Sequence, residues 1–373
     1  MHILFAGGGT AGHINPALAV AGYIKEKMPD TKISYIGKKD GLEQTLVPKA
    51  GYDFYPIEVE GFQRSLSLKN IKRNIIAVKK VFSSSGKAKK LLKELKPDIV
   101  MGTGGYVSGP VLRQAAKLKI KTVIHEQNAY PGVTTKMLVN DVDKVMIAFA
   151  DAGPRINMKG EPIVTGNPVR QSLINSNAKE SKKKIGVENK PIILSFGGSL
   201  GAAPINKAVC GFIANTYKSG KYHYIHATGK NGYDEFIENL KSLGVDVNAE
   251  NLDIRPYIDD MDVCMSAADL VICRAGAITL CELQALGNPS VLFQSPYVAE
   301  NHQYFNAMTL VNAGAADIIE EKNLSVDSLT QTITKLADDN LRLSAMSFAA
   351  LKSAIIDSNE RIFNIITNLL NQN

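Results

Sequence analysis

Residues Cys273-Arg274-Ala275-Gly276-Ala277-Ile278-Thr279-Leu280-Cys281-Glu282 follow the apolar run Leu270-Val271-Ile272 and combine the parts needed to hold a charged sugar derivative. A strand that opens through a small, glycine-containing turn into a helix aims the helix's first unpaired amides at whatever lies above the sheet edge, a setting that suits an anion. With the helix starting near Ala277, Glu282 falls within its first two turns, where a carboxylate accepts from a pair of sugar hydroxyls. The plain alternative is a helix start with a favourable acid.

Comparable groups recur along the chain. Gly7-Gly8-Gly9-Thr10-Ala11-Gly12-His13 lies between the apolar His2–Ala6 and a helical stretch through Met28. Its glycines let the backbone approach an anion, and the helix start behind them favours negative charge. His13 stands where this loop enters the helix. An imidazole there suits a general base, because histidine titrates near neutrality, and a polar helix-start residue explains the same position. Gly7, Gly9 and Gly12 satisfy G-x-G-x-x-G, but the second strand, Lys32–Ile36, runs into Gly37-Lys38-Lys39 without the acid that holds a ribose in dinucleotide sites. The loop therefore reads as phosphate-binding and not as an NAD site. A second glycine loop, Gly102–Gly109, implies a diphosphate or a crowded backbone approach. His125-Glu126-Gln127-Asn128 is a dense polar cluster at a strand end, with Glu126 a second candidate base and Asn128 a hydrogen-bonding residue for a sugar. Arg170, after Gly166-Asn167-Pro168-Val169, is able to grip phosphate through paired donors, or is a plain surface arginine. Gly197-Gly198-Ser199-Leu200-Gly201-Ala202 is a third glycine loop at a helix start, with Ser199 placed to bond a phosphate. Glu300-Asn301-His302-Gln303 offers amide and imidazole groups to sugar hydroxyls. Asp260-Met261-Asp262 resembles a metal-holding carboxylate pair, but its place at a helix start favours capping, and no metal site is expected. His223 and His226, along an apolar strand, read as structural.

Strand ends are needed to position these groups, and the chain supplies them by regular alternation. Strands His2–Ala6, Lys32–Ile36, Asp53–Ile57, Asp98–Met101, Thr122–Ile124, Lys144–Ile147 and Pro162–Thr165 come before a hinge at Gly166–Arg170, where Pro168 restricts Asn167 to extended geometry. Strands Ile192–Phe196, Tyr222–Ala227, Leu252–Arg255 and Leu270–Ile272 then repeat the pattern, with a helix over Asp259–Ala267. This predicts an α/β chain of two Rossmann-like doubly wound domains, 1–166 and 167–356, with a cleft between them and a terminal helix of about 357–373 crossing back onto the first.

A length of 373 residues, 45% of them hydrophobic, suits two such cores. The four cysteines, all in the second half and without a C-x-x-C pair, indicate neither a disulfide framework nor zinc and read as reduced thiols. No signal peptide is expected, and apolar runs such as Ile192–Phe196 fall far short of the about 20 residues that cross a bilayer. G-x-x-x-x-G-K-[ST] does not occur, which argues against a P-loop nucleotidase. Residues 1–165 hold 25 Lys and Arg against 14 Asp and Glu, whereas the remainder carries an excess of acids. Phe62–Lys96 is the most basic block, with Glu94 its single acid. Within it Ile71, Ile75, Val78 and Phe82 fall at helical spacing over Leu68–Phe82, as in a helix covering the sheet or one resting on an anionic bilayer. Nucleic acid lacks the interleaved aromatics that would support it.

Taken together the chain resembles the MurG family of peptidoglycan glycosyltransferases. Gly7–His13, Gly102–Gly109, His125–Asn128, Gly166–Arg170, Gly197–Ala202, Tyr257–Met261, Arg274–Glu282 and His302–Ala307 stand in that family's order and spacing. The resemblance implies a GT-B fold, no cofactor, UDP-N-acetylglucosamine in the C-terminal domain, and a membrane-facing N-terminal domain that takes undecaprenyl-diphospho-muramoyl-pentapeptide (lipid I). Inverting transfer to the muramoyl C4 hydroxyl would give lipid II for peptidoglycan synthesis, at the cytoplasmic face of the bacterial plasma membrane. It implies donor contacts at Thr10, Ala11, Gly12, Asn128, Arg170, Ser199, Ile258, Ala277, Ile278, Thr279, Leu280, Cys281, Glu282 and Gln303. Ile258 would meet uracil through its backbone, Glu282 the ribose, and Arg170 and Ser199 the diphosphate. Leu200, Cys281 and His302 depart from the glutamine, serine and glutamine frequent at those places. His13 is then the expected base and Glu126 the runner-up, while helix N-termini after Gly198 and Ala275, with Arg170, stabilise the leaving diphosphate in place of a metal. The rivals are another UDP-sugar GT-B transferase acting on a lipid acceptor, a nicotinamide-dependent oxidoreductase, and a non-catalytic lipid-surface or nucleic-acid binder.

Overall fold

The computed structural model describes residues 1–59 and 84–372. The chain divides into two compact units, Met1–Pro168 with Asp357–Asn373, and Val169–Ile356. The first unit runs β1 (His2–Ala6), α1 (Ala11–Lys27), β2 (Lys32–Lys38), α2 (Glu43–Lys49), β3 (Asp53–Ile57), α3 (84–95), β4 (Ile99–Gly102), α4 (Gly105–Lys117), β5 (Lys121–Glu126), α5 (Val133–Leu138), β6 (Lys144–Ile147) and β7 (Ile163–Val164). Its strands pair in parallel in the order β3-β2-β1-β4-β5-β6-β7. Parallel strands covered on both faces are apolar along their whole length, which is why Ile3-Leu4-Phe5 and Ile99-Val100-Met101 are fully buried. Leu4 and Val100 belong to one core and Ile3, Phe5, Ile99 and Met101 to the other. The strand order reverses between β1 and β4, so the loops after those strands flank the crevice where ligands collect in such sheets.

The second unit opens with α6 (Gln171–Ile174) and α7 (Ala178–Ile185). It continues through β8 (Ile192–Phe196), α8 (Ala203–Thr216), β9 (His223–Ala227), α9 (Tyr233–Ser242), β10 (Leu252–Arg255), α10 (Met261–Ala267), β11 (Leu270–Arg274) and α11 (Ala277–Leu286). Then come β12 (Ser290–Phe293), α12 (His302–Asn312), β13 (Ala316–Ile318), α13 (Val326–Ala337) and α14 (Asn340–Ser353). The parallel order is β10-β9-β8-β11-β12-β13, with its reversal between β8 and β11. β12 and β13, of four and three residues, are absent from the sequence expectation. α15 (Ser358–Asn371) joins the first unit, where Ile362, Ile366 and Leu369 enter the core that holds Ile24 of α1, and Phe363 meets Tyr23 edge-on at 5.9 Å.

The helix expected over Leu68–Phe82, and the basic block from Phe62 as far as residue 83, lie outside the described residues. Among the described residues no helix is long and apolar enough to cross a membrane.

Candidate active site

In the first unit the two glycine loops meet backbone on backbone. A Cβ on Gly105, whose φ is +75°, would fall 2.2 Å from the Gly8 carbonyl oxygen. The crowded approach therefore accounts for Gly105. Thr103 Oγ1 donates to the His13 carbonyl at 2.7 Å, and Ser108 Oγ donates to Ala6 O at 2.6 Å, so the loop after β4 braces the loop after β1.

Glu43 weighs against the phosphate expected at Gly7–Gly12. Glu43, fully buried, accepts from the Lys38 amide at 2.7 Å and the Gly9 amide at 3.4 Å, and its Oε1 lies 1.9 Å from where a Cβ of Gly8 would stand. An anion brought to that loop would meet a carboxylate of its own sign already there. No local pattern announces Glu43, which follows Gly41 in an ordinary turn. Thr10, at the N-cap of α1, makes no side-chain cap bond and is exposed, as are Ala11 and Gly12 in the first turn. These residues remain at the sheet edge, ahead of a helix whose first amides lack ladder partners.

His13 is half-buried, with Nδ1 3.1 Å from Gln127 Oε1. Its ring rests against Gly104: at φ +97°, a Cβ on that residue would come within 2.8 Å of His13 Nδ1. Gly104→Ala is expected to cost about 1 kcal/mol or more in stability from the positive φ alone. With His13 as the expected base, displacing the imidazole should also lower kcat about 10- to 100-fold, with KM little changed. Steady-state kinetics beside thermal unfolding check both effects, and an unchanged kcat would show that the ring tolerates the shift.

The geometry gives Glu126 a different task from that of a base. It is buried; Oε1 accepts from the Asn128 amide and from Asn128 Nδ2, each at 3.1 Å, and Oε2 from the Gly132 amide at 2.9 Å and Thr135 Oγ1 at 2.6 Å. Four donors occupy its acceptor sites and leave no lone pair directed at a substrate. Glu126 thus shapes the turn that presents Asn128. Gln127, inside the same quartet but not among the sequence candidates, is the residue whose side chain bonds the His13 ring.

In the second unit the loop after β8 interlocks with Thr228-Gly229. A Cβ on Gly201, at φ +78°, would lie 2.1 Å from Thr228 O. Ser199 and Leu200 are exposed at the tip, Leu200 to 84%. Across the switch point, Arg274 at the end of β11 pairs with Glu321 and donates to Gln294 O at 2.6 Å, which commits it to holding the fold. α11 starts at Ala277; Ala277, Leu280, Cys281 and Glu282 are buried and Ile278 and Thr279 half-buried. Arg170, half-exposed just ahead of α6, donates through Nε to Glu282 Oε1 at 2.9 Å. Burial pushes the Glu282 carboxyl above its ordinary range while the Arg170 guanidinium pulls the other way, and burial is the larger effect.

Ile258 is buried beside the exposed Tyr257, just past β10. Gln303 Oε1 accepts from the Ser295 amide at 2.8 Å, which leaves its NH2 as the group to donate. Ser199, Ile258, the α11 start and Gln303 thus all follow the carboxyl ends of strands in one parallel sheet, and Arg170 joins them by touching Glu282. Asp260 occupies the N-cap of α10 but makes no cap bond. Its carboxylate takes Arg255 Nη1 at 2.5 Å, and Arg255 also holds Asp253 at 2.8 Å, so the expected capping role gives way to an ion-pair cluster.

Comparison with known proteins follows the same division. The glycosyltransferase family 28 N-terminal domain matches residues 3–147 and the glycosyltransferase family 28 C-terminal domain residues 192–362. The chain is similar to the UDP-N-acetylglucosamine–N-acetylmuramyl-(pentapeptide) pyrophosphoryl-undecaprenol N-acetylglucosamine transferase of Acetivibrio thermocellus, 45% identical over 99% of this chain and 98% of that one. The transferase of the same name from Bacillus cytotoxicus is 41% identical over 99% of this chain and 100% of that one. Among solved structures, MurG of Acinetobacter baumannii has a TM-score of 0.78 at 29% identity, covering 98% of this chain and 99% of that one. The calicheamicin glycosyltransferase CalG4, at 16% identity and a TM-score of 0.70 over 100% of this chain and 98% of that one, shares the fold.

Proposed function

The chain belongs to glycosyltransferase family 28, in its MurG branch, and from that premise we propose how its residues carry the reaction. The enzyme transfers N-acetylglucosamine from UDP-N-acetylglucosamine to lipid I, giving lipid II in peptidoglycan synthesis. The Arg170–Glu282 pair, with Glu282 in the second turn of α11, carries the donor assignment: a buried acceptor for ribose hydroxyls and a half-exposed guanidinium for phosphate lie 2.9 Å apart near the N-terminal end of that helix. Ser199, the Ala277–Glu282 run, the Ile258 backbone and Gln303 complete the donor contacts of residues 167–356. Thr10, Ala11, Gly12 and Asn128 add those of residues 1–166, the domain that receives the lipid acceptor.

In the chemical step the muramoyl C4 hydroxyl oxygen forms a bond to the anomeric carbon on the face opposite UDP. The bond from that carbon to the phosphate oxygen breaks, its electron pair leaves with UDP, and the hydroxyl proton passes to His13, so the anomeric configuration inverts. Helix N-termini after Gly198 and Ala275, with Arg170, meet the charge on the departing diphosphate. No cofactor enters. Incubation with labelled UDP-N-acetylglucosamine and lipid I in detergent tests the assignment: label appears in a lipid-extractable disaccharide, and its absence with folded enzyme would refute the reading.

The enzyme works on the cytoplasmic face of the plasma membrane as a peripheral protein, held there by the basic block Phe62–Lys96 and not by any nucleic-acid partner. Each basic residue near anionic headgroups adds roughly 1 kcal/mol. Changing Lys79, Lys80, Lys87 and Lys90 together to glutamate is expected to abolish sedimentation with phosphatidylglycerol vesicles while leaving transfer to a water-soluble acceptor intact. Unaltered vesicle binding would remove this role.

A further inference from the structure

Gln127 makes contacts whose chemistry leaves a single arrangement. Its Nε2 lies 3.0 Å from the His125 carbonyl oxygen, an atom that only accepts, so this end of the amide is the NH2 group. The end facing His13 Nδ1 at 3.1 Å is therefore the carbonyl oxygen, which also only accepts. His13 Nδ1 must carry the hydrogen. In a neutral imidazole the lone pair then resides on Nε2. This assignment rests on a backbone carbonyl and on no chosen amide flip.

His125, fully buried, has Nε2 2.9 Å from Gly166 O, so that nitrogen donates and Nδ1 accepts from Gln127 Nε2 at 3.1 Å. Burial pushes the His125 imidazole below its ordinary range, which keeps Nδ1 unprotonated near neutral pH. Asn167 Nδ2 donates to Gln127 O at 3.0 Å and holds the backbone from the other side. Gly166 O and His125 O thus orient Gln127, and Gln127 orients His13.

We propose that Gln127 is a positioning residue that locks His13 in its Nδ1–H form and so presents Nε2 as the nitrogen that takes the acceptor's proton. This rests on His13 as the base. As the proton arrives at Nε2, the Nδ1–H···Oε1 bond becomes charge-assisted, and the amide dipole is already aimed at the new cation. Apart from the flanking histidine, a neutral amide here does for the imidazole what a buried carboxylate does in a catalytic triad.

The test reads the tautomer directly. In the full chain labelled with ring-15N histidine, long-range 1H–15N correlations identify the protonated nitrogen of His13, assigned by its loss in His13→Ala. The expected signature is Nδ1–H in the unmodified enzyme, persisting in Gln127→Glu, which keeps an acceptor oxygen, and lost in Gln127→Met. Gln127→Met is also expected to lower kcat about 10- to 100-fold with the donor KM unchanged, and to cause no further fall when His13 is already alanine. An Nε2–H signal in the unmodified enzyme, or a Gln127→Met loss that repeats in full without the His13 side chain, would overturn the proposal. Full turnover by His13→Ala would instead remove the base assignment, with the spectrum still deciding whether the lock exists.

Discussion

Replacement of His13 by alanine is expected to lower kcat by about 10²- to 10⁴-fold with both substrates saturating, the range a positioned general base contributes. The fold should survive. The His13 carbonyl that receives Thr103 Oγ1 is retained in the variant, and the ring is only half-buried at the sheet edge. Donor affinity should change little, because the contacts proposed at this helix start belong to Thr10, Ala11 and Gly12. An equal loss in kcat and kcat/KM would place the removed interaction in the transition state, whereas a rise in KM alone would mean that His13 merely binds. Nearly unchanged turnover would sink the assignment. Glu126 gives no natural substitute, since all of its acceptor capacity is spent on Asn128, Gly132 and Thr135.

Glu282→Gln is the second large effect, and it should separate binding from stability. Losing the charged acceptor proposed for the ribose hydroxyls is expected to remove roughly 1.5–3 kcal/mol, or about 10- to 150-fold in donor affinity. The carboxyl's ordinary value is raised by burial in the fold, so the native state holds the proton more tightly than the unfolded chain does. Its favourable contribution is present below the ordinary carboxyl range and is lost as pH rises through the raised value. Ionising the buried group is therefore a net cost to folding that Arg170 offsets only in part. Glutamine keeps the shape and an oxygen for Arg170 Nε, so the Tm at pH 7 should hold or rise while titration with UDP-N-acetylglucosamine weakens. A parallel fall in Tm and affinity would mean that Glu282 is chiefly a structural partner of Arg170.

The two doubly wound sheets are legible in the sequence because buried parallel strands advertise themselves as apolar runs, Ile3-Leu4-Phe5 and Ile192-Ile193-Leu194 among them, each broken by a glycine loop. Donor residues could be named because the family resemblance carried their positions; composition and spacing alone left Arg170 balanced between phosphate clamp and surface residue. What stayed hidden is long-range. Glu43 finds Gly9 34 residues away, Gln127 finds His13 across 114, and Arg170 finds Glu282 across 112, distances over which no helix or strand period operates. Asp260 was misread for the converse reason: its local position at a helix start suggests a cap, and only the folded chain brings Arg255 against it. The Gly7–Gly12 loop likewise looks like an open phosphate cradle in the sequence, whereas in the fold the Glu43 carboxylate sits on its Gly9 amide.

The central claim is that UDP-N-acetylglucosamine is held by helix amides, Arg170 and Glu282 without a divalent ion. Thermal unfolding in excess chelator, titrated with UDP-N-acetylglucosamine and separately with NADH, addresses it most directly, because a ligand that binds only the native state raises the Tm by mass action. A saturable rise with the sugar nucleotide, none with NADH, and no change when magnesium replaces chelator are the expected results. Protection that appears only with magnesium, or that NADH supplies instead, would contradict that claim.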